Sequence, residues 1–537
     1  MTGFSRRGAC PALSAPMSTG DGLLVRLNPL AGEITPNVLI GLCESAARHG
    51  NGIVEVTARG SIQIRGLTSE SACLLAQEVD ALGIAVRTGV PVDTSPLAGI
   101  GSKETTNPTP LAAAIRTAIE RVGLAPRLGP KVSVVVDGRG QIGLGAIIGD
   151  VRLVAKDAER WRLSVAGDES SARLVGEFDS DAACAVTLDI LQAIAALGQQ
   201  GRARDLGLSQ ILAAIEGSAT SHSFPPPSVL PDISPARGEI RPAWTPAHTA
   251  QAKYERFAAR EDASPDEIAP SPANAVARRA EAPSLPISPL AGEMSGRTEG
   301  GEKDRYLSVE SSNDTDESKP EPTRATDSSS IGILTLTDTQ IALGIALPFG
   351  SIDAPTLIAF CQAANDGGAT GIRPAPGRSL LVMGLDSPSA ATLTATAQSL
   401  GLVTSPADPS IRIAACPGAP ACASGMIAAR DVAAEIAHEI GESLDPTLSL
   451  HVSGCAKGCA HPGPATLTIV GDEKGAAFVV GGTAKGLPAA YTAGYEAARG
   501  MGRLTKLLAQ ERKPDENAAA CLARLGAKRL AQALAQE

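Results

Sequence analysis

Apolar and polar positions alternate along the first stretch of the chain with two clear periods. From Leu23 they predict a strand (LLVRL), a helix (PNVLIGLCESAARHG), two strands (GIVEVT and SIQIRG), a second helix (SESACLLAQEVDALG) and a further apolar stretch (IAVRT). That is the β-α-β-β-α-β order of a ferredoxin-like sandwich. Thr35 is placed to cap the first helix, Pro36 to fill its first turn and Gly50 to end it. Val38, Leu39, Leu42 and Ala46 then share one buried face.

The same unit returns later. Aligning Cys43 with Cys361 gives an offset of 318 (361 minus 43), and the ungapped windows Gly32 to Leu67 and Gly350 to Leu385 share ten of 36 positions. Chance would give about two or three, so the chain contains an internal duplication. A second pair of segments follows the copies. KVSVVVDGRGQIGLGAIIGDVRLVA resembles LSLHVSGCAKGCAHPGPATLTIVGD, with Gly138 falling near Gly454 (454 minus 138 is 316), and only the second segment has cysteines. The fold class expected is α+β: two ferredoxin-like half-domains and two α/β domains related by pseudo-twofold symmetry, one carrying a metal cluster. The expected boundaries are 1–100 and 331–405 for the half-domains, 101–216 for the α/β domain without cysteine pairs and 406–537 for the one with them. Between the halves, 217–330 is rich in Pro, Ser, Ala, Glu and Arg and contains the near-copies LPDISPARGEI and LPISPLAGEM. Its composition reads as a disordered insertion, tolerable because each doubling of a surface loop costs only about 0.6 kcal/mol. His222 and His248 lie in it and are expected to be solvated.

Charge and composition narrow the function. A chain of 537 residues with a net charge of -10 is too long for one core and is not a general nucleic-acid binder, so any anionic ligand must be met by local basic residues. The scattered cysteines do not form a secreted disulfide framework. Arg6 and Arg7 are followed by no apolar export region. The most apolar window, ACAVTLDILQAIAALG, is short and carries Asp189, so it is expected to be a buried helix rather than a membrane span. The expected location is cytoplasmic.

Four of the ten cysteines are grouped. Cys416 and Cys422 form Cys-x5-Cys, Cys455 and Cys459 form Cys-x3-Cys, and 33 residues (455 minus 422) separate the pairs. A gap of five is long for a zinc knuckle, whereas iron-sulfur sites accept wide and unequal gaps. Glycines on both loops would let backbone N–H groups approach cluster sulfides. The run ASGMIAARDVAAEIAHEI after Cys422 reads as a helix with its positive end toward an anionic cluster. A 4Fe-4S cluster is the favoured reading, with zinc or unrelated thiols as alternatives. Cys10 stands alone, either a reactive thiol or a small buried residue.

Two further stretches carry candidate chemistry. GRGQIG, Gly138 to Gly143, has the form of a dinucleotide-binding motif, but strand-like residues follow where that motif needs a helix, so DGRG is read as a hairpin turn. TARGSIQIRG puts Arg59 at a strand end and sends Gln63 and Arg65 to one face of the next strand. With Lys131 these basic residues suggest an anion-lined cavity, against the plainer reading of a solvated sheet edge.

The cysteine pairs, the duplicated halves and the T-x-R strand resemble the siroheme nitrite and sulfite reductase superfamily. Within it, RRGACPALSAPMSTGDGLLVRL and HVSGCAKGCAHP resemble the precorrin-3B synthase family. The resemblance implies an enzyme, an oxidoreductase of the NADH-dependent monooxygenase type, that hydroxylates precorrin-3A to the lactone precorrin-3B in aerobic cobalamin biosynthesis. It implies a duplicated nitrite/sulfite reductase-like architecture, a 4Fe-4S cluster on Cys416, Cys422, Cys455 and Cys459, a mononuclear non-haem iron, and an electron-donor protein that passes on electrons from NADH. A polyacidic tetrapyrrole substrate calls for clamps, and Arg26, Arg59, Arg65 and Lys131 are the candidates, with Arg373 and Arg378 in the opposite half. No catalytic residue or iron ligand is identified, although His451 and His461 flank the second cysteine pair. The alternative enzyme is a siroheme-dependent nitrite or sulfite reductase. It is weakened because Ser133 stands where a second Lys is expected and no second Arg is evident near SPLAGIGSKETTNP. A non-enzymatic alternative is an iron-sulfur electron-transfer protein. No nucleic acid or membrane partner is expected.

Overall fold

The computed structural model describes residues 11–211 and 329–535, apart from 31, 102, 208, 338 and 339. Cys10, His222, His248 and the two near-copies of the insertion lie outside the described residues.

The first half-domain is a sheet in the order β1 (Met17–Thr19), β2 (Gly22–Leu27), β4 (Ile62–Leu67), β3 (Ile53–Val56), β12 (Ser351–Asp353), covered by α1 (Pro36–His49) and α2 (Ser69–Ala81). Helix α1 starts where the sequence predicts: the Thr35 hydroxyl accepts from Val38 N–H at 3.3 Å, Pro36 occupies the first turn and Gly50 ends it. Leu39, Leu42 and Ala46 are buried, and Val38 packs at their margin. The second half-domain has the order β10 (Gly332–Thr335), β11 (Ile341–Ala346), β14 (Ser379–Leu385), β13 (Gly371–Ala375), with α5 (Ala354–Asp366) and α6 (Ser387–Ser399). Both of its helices start 318 residues after their counterparts (354 minus 36, 387 minus 69).

The halves exchange backbone. Ile352 of β12 pairs with Val54 of β3, and Ile34 forms a reciprocal bridge with Ile372 of β13. The partners are related by the same offset (352 minus 34, 372 minus 54). One apolar core fills both halves, with α1 packed on α5. Cys43 and Cys361 are fully buried in it. Burial pushes the Cys361 thiol up to about 12 and raises the Cys43 thiol as well, with Cys361 adding to the effect.

Two α/β domains repeat a second pattern. The first is β5 (Val92–Asp93), β6 (Val134–Asp137), β7 (Gly149–Ala155), β8 (Arg160–Gly167), β9 (Arg173–Asp179), with α3 (Thr109–Arg121) and α4 (Ser180–Ala196). The second is β15 (Ile413–Ala415), β16 (Leu450–Ser453), β17 (Ala465–Asp472), β18 (Gly475–Gly482), β19 (Ala490–Thr492), with α7 (Ala429–Ile440), α8 (Ala497–Glu511) and α9 (Ala518–Ala535). In each sheet two parallel pairings are followed by two antiparallel ones. The apolar window around Asp189 falls largely in α4, packed in the first domain's core, and among the described residues no helix is long and apolar enough to cross a membrane.

Two local expectations are corrected. DGRG is not a hairpin turn: β6 and β7 run parallel, so residues 138–148 form a loop that must return to the same end of the sheet. No helix opens inside GRGQIG, which also removes the dinucleotide reading. The helix after Cys422 begins at Ala429 rather than at the start of the run, because residues 423–428 are used in turns that pack against the neighbouring loop.

An ion cluster joins α1 to α2. Glu78 is hydrogen-bonded by His49 Nε2 at 2.9 Å and accepts from Ser45 and Arg48; led by the His49 bond, these partners hold its carboxyl at about 2. A carboxylate depressed by folding contributes stability above its ordinary titration range and loses it as pH falls toward the folded value. Equilibrium denaturation at stepped pH should therefore show the native protein losing stability more steeply than Glu78→Gln between pH 4.5 and about 2. Parallel acid limbs would refute the assignment.

Candidate functional site at a pair of cysteine-bearing loops

Strands β15 and β16 are adjacent and parallel, so their carboxyl ends lie side by side. This is where α/β sheets present ligand-binding loops. Cys416 directly follows β15, and Cys455 comes two residues after β16. Three glycines let the loops meet backbone to backbone. A Cβ on Gly454 would lie 2.8 Å from the Gly418 Cα and 3.3 Å from the Gly425 Cα across the two loops, while one on Gly425 would lie 2.5 Å from Ala419 N and one on Gly418, at φ 67, 2.3 Å from Ala429 N within the first loop. The loops are also hydrogen-bonded: Met426 N–H donates to Gly454 O at 2.7 Å, and Gly454 N–H donates to the Cys416 Sγ at 3.1 Å. Burial raises the Cys459 thiol, and Cys416, Cys455 and Cys422 raise it further, which puts all four sulfurs in one electrostatic neighbourhood. Among the described residues no three His, Cys, Asp or Glu side chains are gathered as the shell of a single metal ion. The residue types, the contact between the two loops and the N–H donated to Cys416 fit thiolate ligation of a cluster.

The candidate clamps separate into two places. Arg59 leaves the turn at 57–60 for the first α/β domain: Nη2 pairs with Asp93 at 2.6 Å and donates to Ser133 Oγ at 3.1 Å, and Nη1 donates to Ile148 O at 2.9 Å. Lys131, two residues before Ser133, is exposed. Arg65 instead faces the cysteine loops, donating through Nη2 to Ala421 O at 2.6 Å and pairing with Asp21 at 3.0 Å and Glu55 at 3.7 Å. Arg26 Nη2 donates to Gln63 Oε1 at 3.0 Å. The solvated-edge reading of TARGSIQIRG is overturned, since β4 is an inner strand and Gln63 and Arg65 are buried. The basic residues do not line a single cavity with free charges: acidic residues of the protein already neutralise Arg59 and Arg65. Arg373 is likewise paired with Glu33 at 2.6 Å, while Arg378 donates to Ala460 O at 2.9 Å.

His451, in the middle of β16, is fully buried with both ring nitrogens lacking a hydrogen-bond partner among the described residues. Burial holds it neutral, with a pKa pushed down to about 4, and His461 and Arg378 add to the shift. The His461 ring lies edge-on to it at 5.7 Å.

The Nitrite/Sulfite reductase ferredoxin-like half domain profile matches residues 15–82. The structure of the Mycobacterium tuberculosis NirA protein aligns with a TM-score of 0.63 over 95% of this chain and 84% of that one, at 16% identity, which shows a shared fold. A Precorrin-3B synthase from Sinorhizobium sp is 33% identical over 534 residues, covering 99% of this chain and 95% of that protein. The chain belongs to the precorrin-3B synthase family. Its architecture is accordingly the duplicated nitrite/sulfite reductase-like one, and members of this family are enzymes.

Sequence reasoning missed the acidic half of the site. Glu55, on β3, is buried and receives Arg430 of α7 at 2.8 Å as well as Gln63 and Arg65, so it ties the first sheet to the domain that carries the cysteines. Its signal was present: a Glu at an inward position of the otherwise apolar IVEV. Asp21 was hidden in the turn TGDG. Removing one partner from a buried ion network leaves uncompensated charge, so Glu55→Ala should cost about 3–5 kcal/mol in urea denaturation. A loss below about 1 kcal/mol, the size of an exposed pair, would contradict this role.

Proposed function

We propose that this chain acts as a precorrin-3B synthase in aerobic cobalamin biosynthesis. It would convert precorrin-3A to precorrin-3B with dioxygen and electrons drawn from NADH through a donor protein. Oxygen is inserted into the macrocycle, and a side-chain acetate closes the lactone. The observation that carries this reading is the identity of 33% spread over 99% of the chain.

Cys416, Cys422, Cys455 and Cys459 would hold a 4Fe-4S cluster. When bound, such a cluster supplies electrons singly at a low potential. Gly454 N–H, directed at the Cys416 sulfur, stabilises negative charge on the thiolate. Arg65 positions the first cysteine loop through the carbonyl of Ala421, next to Cys422, and is itself fixed by Asp21 and Glu55. The buried Arg65, Glu55 and Gln63, with the half-buried Arg430, tie the first sheet to this side of the loops. Arg59 and Lys131 supply the positive charge for substrate carboxylates, and a carboxylate arriving at Arg59 would share the guanidinium with Asp93. Among the described residues no three His, Cys, Asp or Glu side chains gather as a shell for a non-haem iron. The siroheme-reductase alternative lacks support at Ser133, whose hydroxyl meets Arg59 where a second Lys would contribute charge and protons.

The test is to give anaerobically purified full-length protein precorrin-3A, dioxygen and reductant and to weigh the product. A gain of one oxygen atom is expected. Siroheme absorption bands together with nitrite or sulfite reduction would reject the reading. Cys455→Ala should abolish turnover and lower bound iron and labile sulfide severalfold while the far-ultraviolet dichroism is retained. A variant that still turns over at the native rate would remove the cysteines from the mechanism.

A further inference from the structure

The duplication points to a second ligand site. In the first half, Arg59 in the turn 57–60 reaches Asp93, Ser133 and Ile148 of the first α/β domain. The equivalent turn in the second half, 375–378 (375 minus 57 is 318), carries Arg378 one position after Gly377, the offset counterpart of Arg59. The turns touch across the pseudo-twofold axis: Gly377 N–H donates to Ala58 O at 3.0 Å, and a Cβ on Gly60 would lie 2.8 Å from the Ala375 backbone. Strand register supplies the other equivalences. Ser449 corresponds to Ser133 and Thr447 to Lys131 (449 minus 133 and 447 minus 131 are both 316). Asp93 is registered with Val135 and Ala414 with His451 (451 minus 135 is again 316), so an alanine stands where Arg59 has its carboxylate partner.

A cavity of about 370 Å³ opens there, with Arg378, Arg412, Ala414, Thr447, Ser449 and His461 in its wall and no Asp or Glu. Among the described residues Arg378 and Arg412 make no ion pair, whereas Arg59, Arg65, Arg373 and Arg430 all do. Arg412 Nη2 donates to Leu444 O at 3.2 Å, while its Nε is buried without a partner. The acidic neighbour of this wall, Asp445, is taken up by Arg512 and Thr447. His461 Nε2 is turned to Pro464 O at 3.2 Å. Burial and the like charge of Arg430 lower the pKa of Arg378, the opposite of what a counter-anion would do. Cationic groups held in a wall without counter-charge are costly unless an anion completes them.

We propose that this cavity is a second anion-binding site, pseudo-symmetric to the Arg59 site, which takes a small molecule through a carboxylate or phosphate group held by Arg378 and Arg412. Its volume suits a small-molecule ligand. The assignment is independent of the reaction proposed above, because it rests on the cavity and the duplication.

The test is calorimetric titration of the full-length protein with inorganic phosphate and, separately, with succinate, in sodium chloride of matched ionic strength. Saturable binding of at least one is expected. Phosphate alone would identify a phosphate ligand, and succinate binding or displacing phosphate would identify a carboxylate. Affinity should fall by about tenfold or more in Arg378→Met and in Arg412→Met. It should be lost in Ala414→Asp, which restores the carboxylate that Asp93 gives to Arg59. Absence of saturable binding by either anion, or binding unchanged in Ala414→Asp, overturns the proposal. Should the methionine variants fail to fold by circular dichroism, Ala414→Asp decides alone.

Discussion

The structure depends on a reciprocal loan of backbone between its two halves. Residues 351–353 complete the sheet of the first half, and Ile34 pairs back onto Ile372 of the second. Each bridge satisfies edge groups that would otherwise stay open to water or to another chain. Because the exchange occurs beside α1 and α5, it also forces the two helices together over one core, which a separated half would expose. The hairpin turns at 57–60 and 375–378 are thereby brought into contact, and each delivers an arginine to a different α/β domain. The placement of these two arginines is a consequence of this exchange.

Symmetry of backbone does not bring symmetry of chemistry. The loop between β6 and β7 occupies the place of the loop between β16 and β17, yet the two are organised by different means. In the first, Asp137 accepts from Arg139 N–H and Leu144 N–H at 2.8 Å each, and the buried guanidinium of Arg152 donates to the carbonyls of Leu144, Gly145 and Ile147. Those bonds, with Thr105 N–H donated to Gly138 O and Glu169 N–H to Gly145 O, hold a loop that lacks a helix. The second loop is pinned to its neighbour by glycine contacts and by the Gly454 bond to Cys416. It has no buried arginine, since Thr468 stands where Arg152 does (468 minus 152 is 316). The first copy thus holds its loop from within by a buried arginine, whereas in the second the threonine at that position donates to Gly482 O of the neighbouring strand.

Much of the fold could be read from the chain because the duplicated segments kept the residues that set helix ends and strand spacing. Thr35, Pro36 and Gly50 mark α1 by local chemistry alone, and the 318-residue offset places α5 and α6 without further argument. What could not be read depends on partners distant in sequence. A three-residue strand such as β12 has no period, and its pairing exists only because β3 is near. The hairpin misreading at DGRG has the same origin: turn residues describe a change of direction, but whether the next strand returns parallel or antiparallel is decided by the sheet. At the cysteines, spacing singled out the candidates but not the support of their loops, which comes from Glu55, Asp21 and Arg430, each hidden within an ordinary strand, turn or helix. The basic face was legible, and its neutralisation was not.

That neutralisation bears on how an acidic chain could meet an acidic ligand. Bare guanidinium groups collected around a cleft would repel one another and raise the cost of folding. Pairing Arg59 with Asp93, and Arg65 with Asp21 and Glu55, removes that cost and fixes the direction of each fork. The same pairing lowers the net attraction each arginine offers to a carboxylate, so discrimination must come from geometry more than from field strength. At Arg59 the guanidinium is about one-third exposed and Asp93 is partly exposed too, so an incoming carboxylate can share the fork without a buried charge being stranded. At Arg65 both partners are largely buried, and sharing would require dismantling the contact with Ala421. The first arginine is therefore able to share its fork with an incoming anion and the second is committed to the loop that carries Cys422, a difference set by burial rather than by residue type.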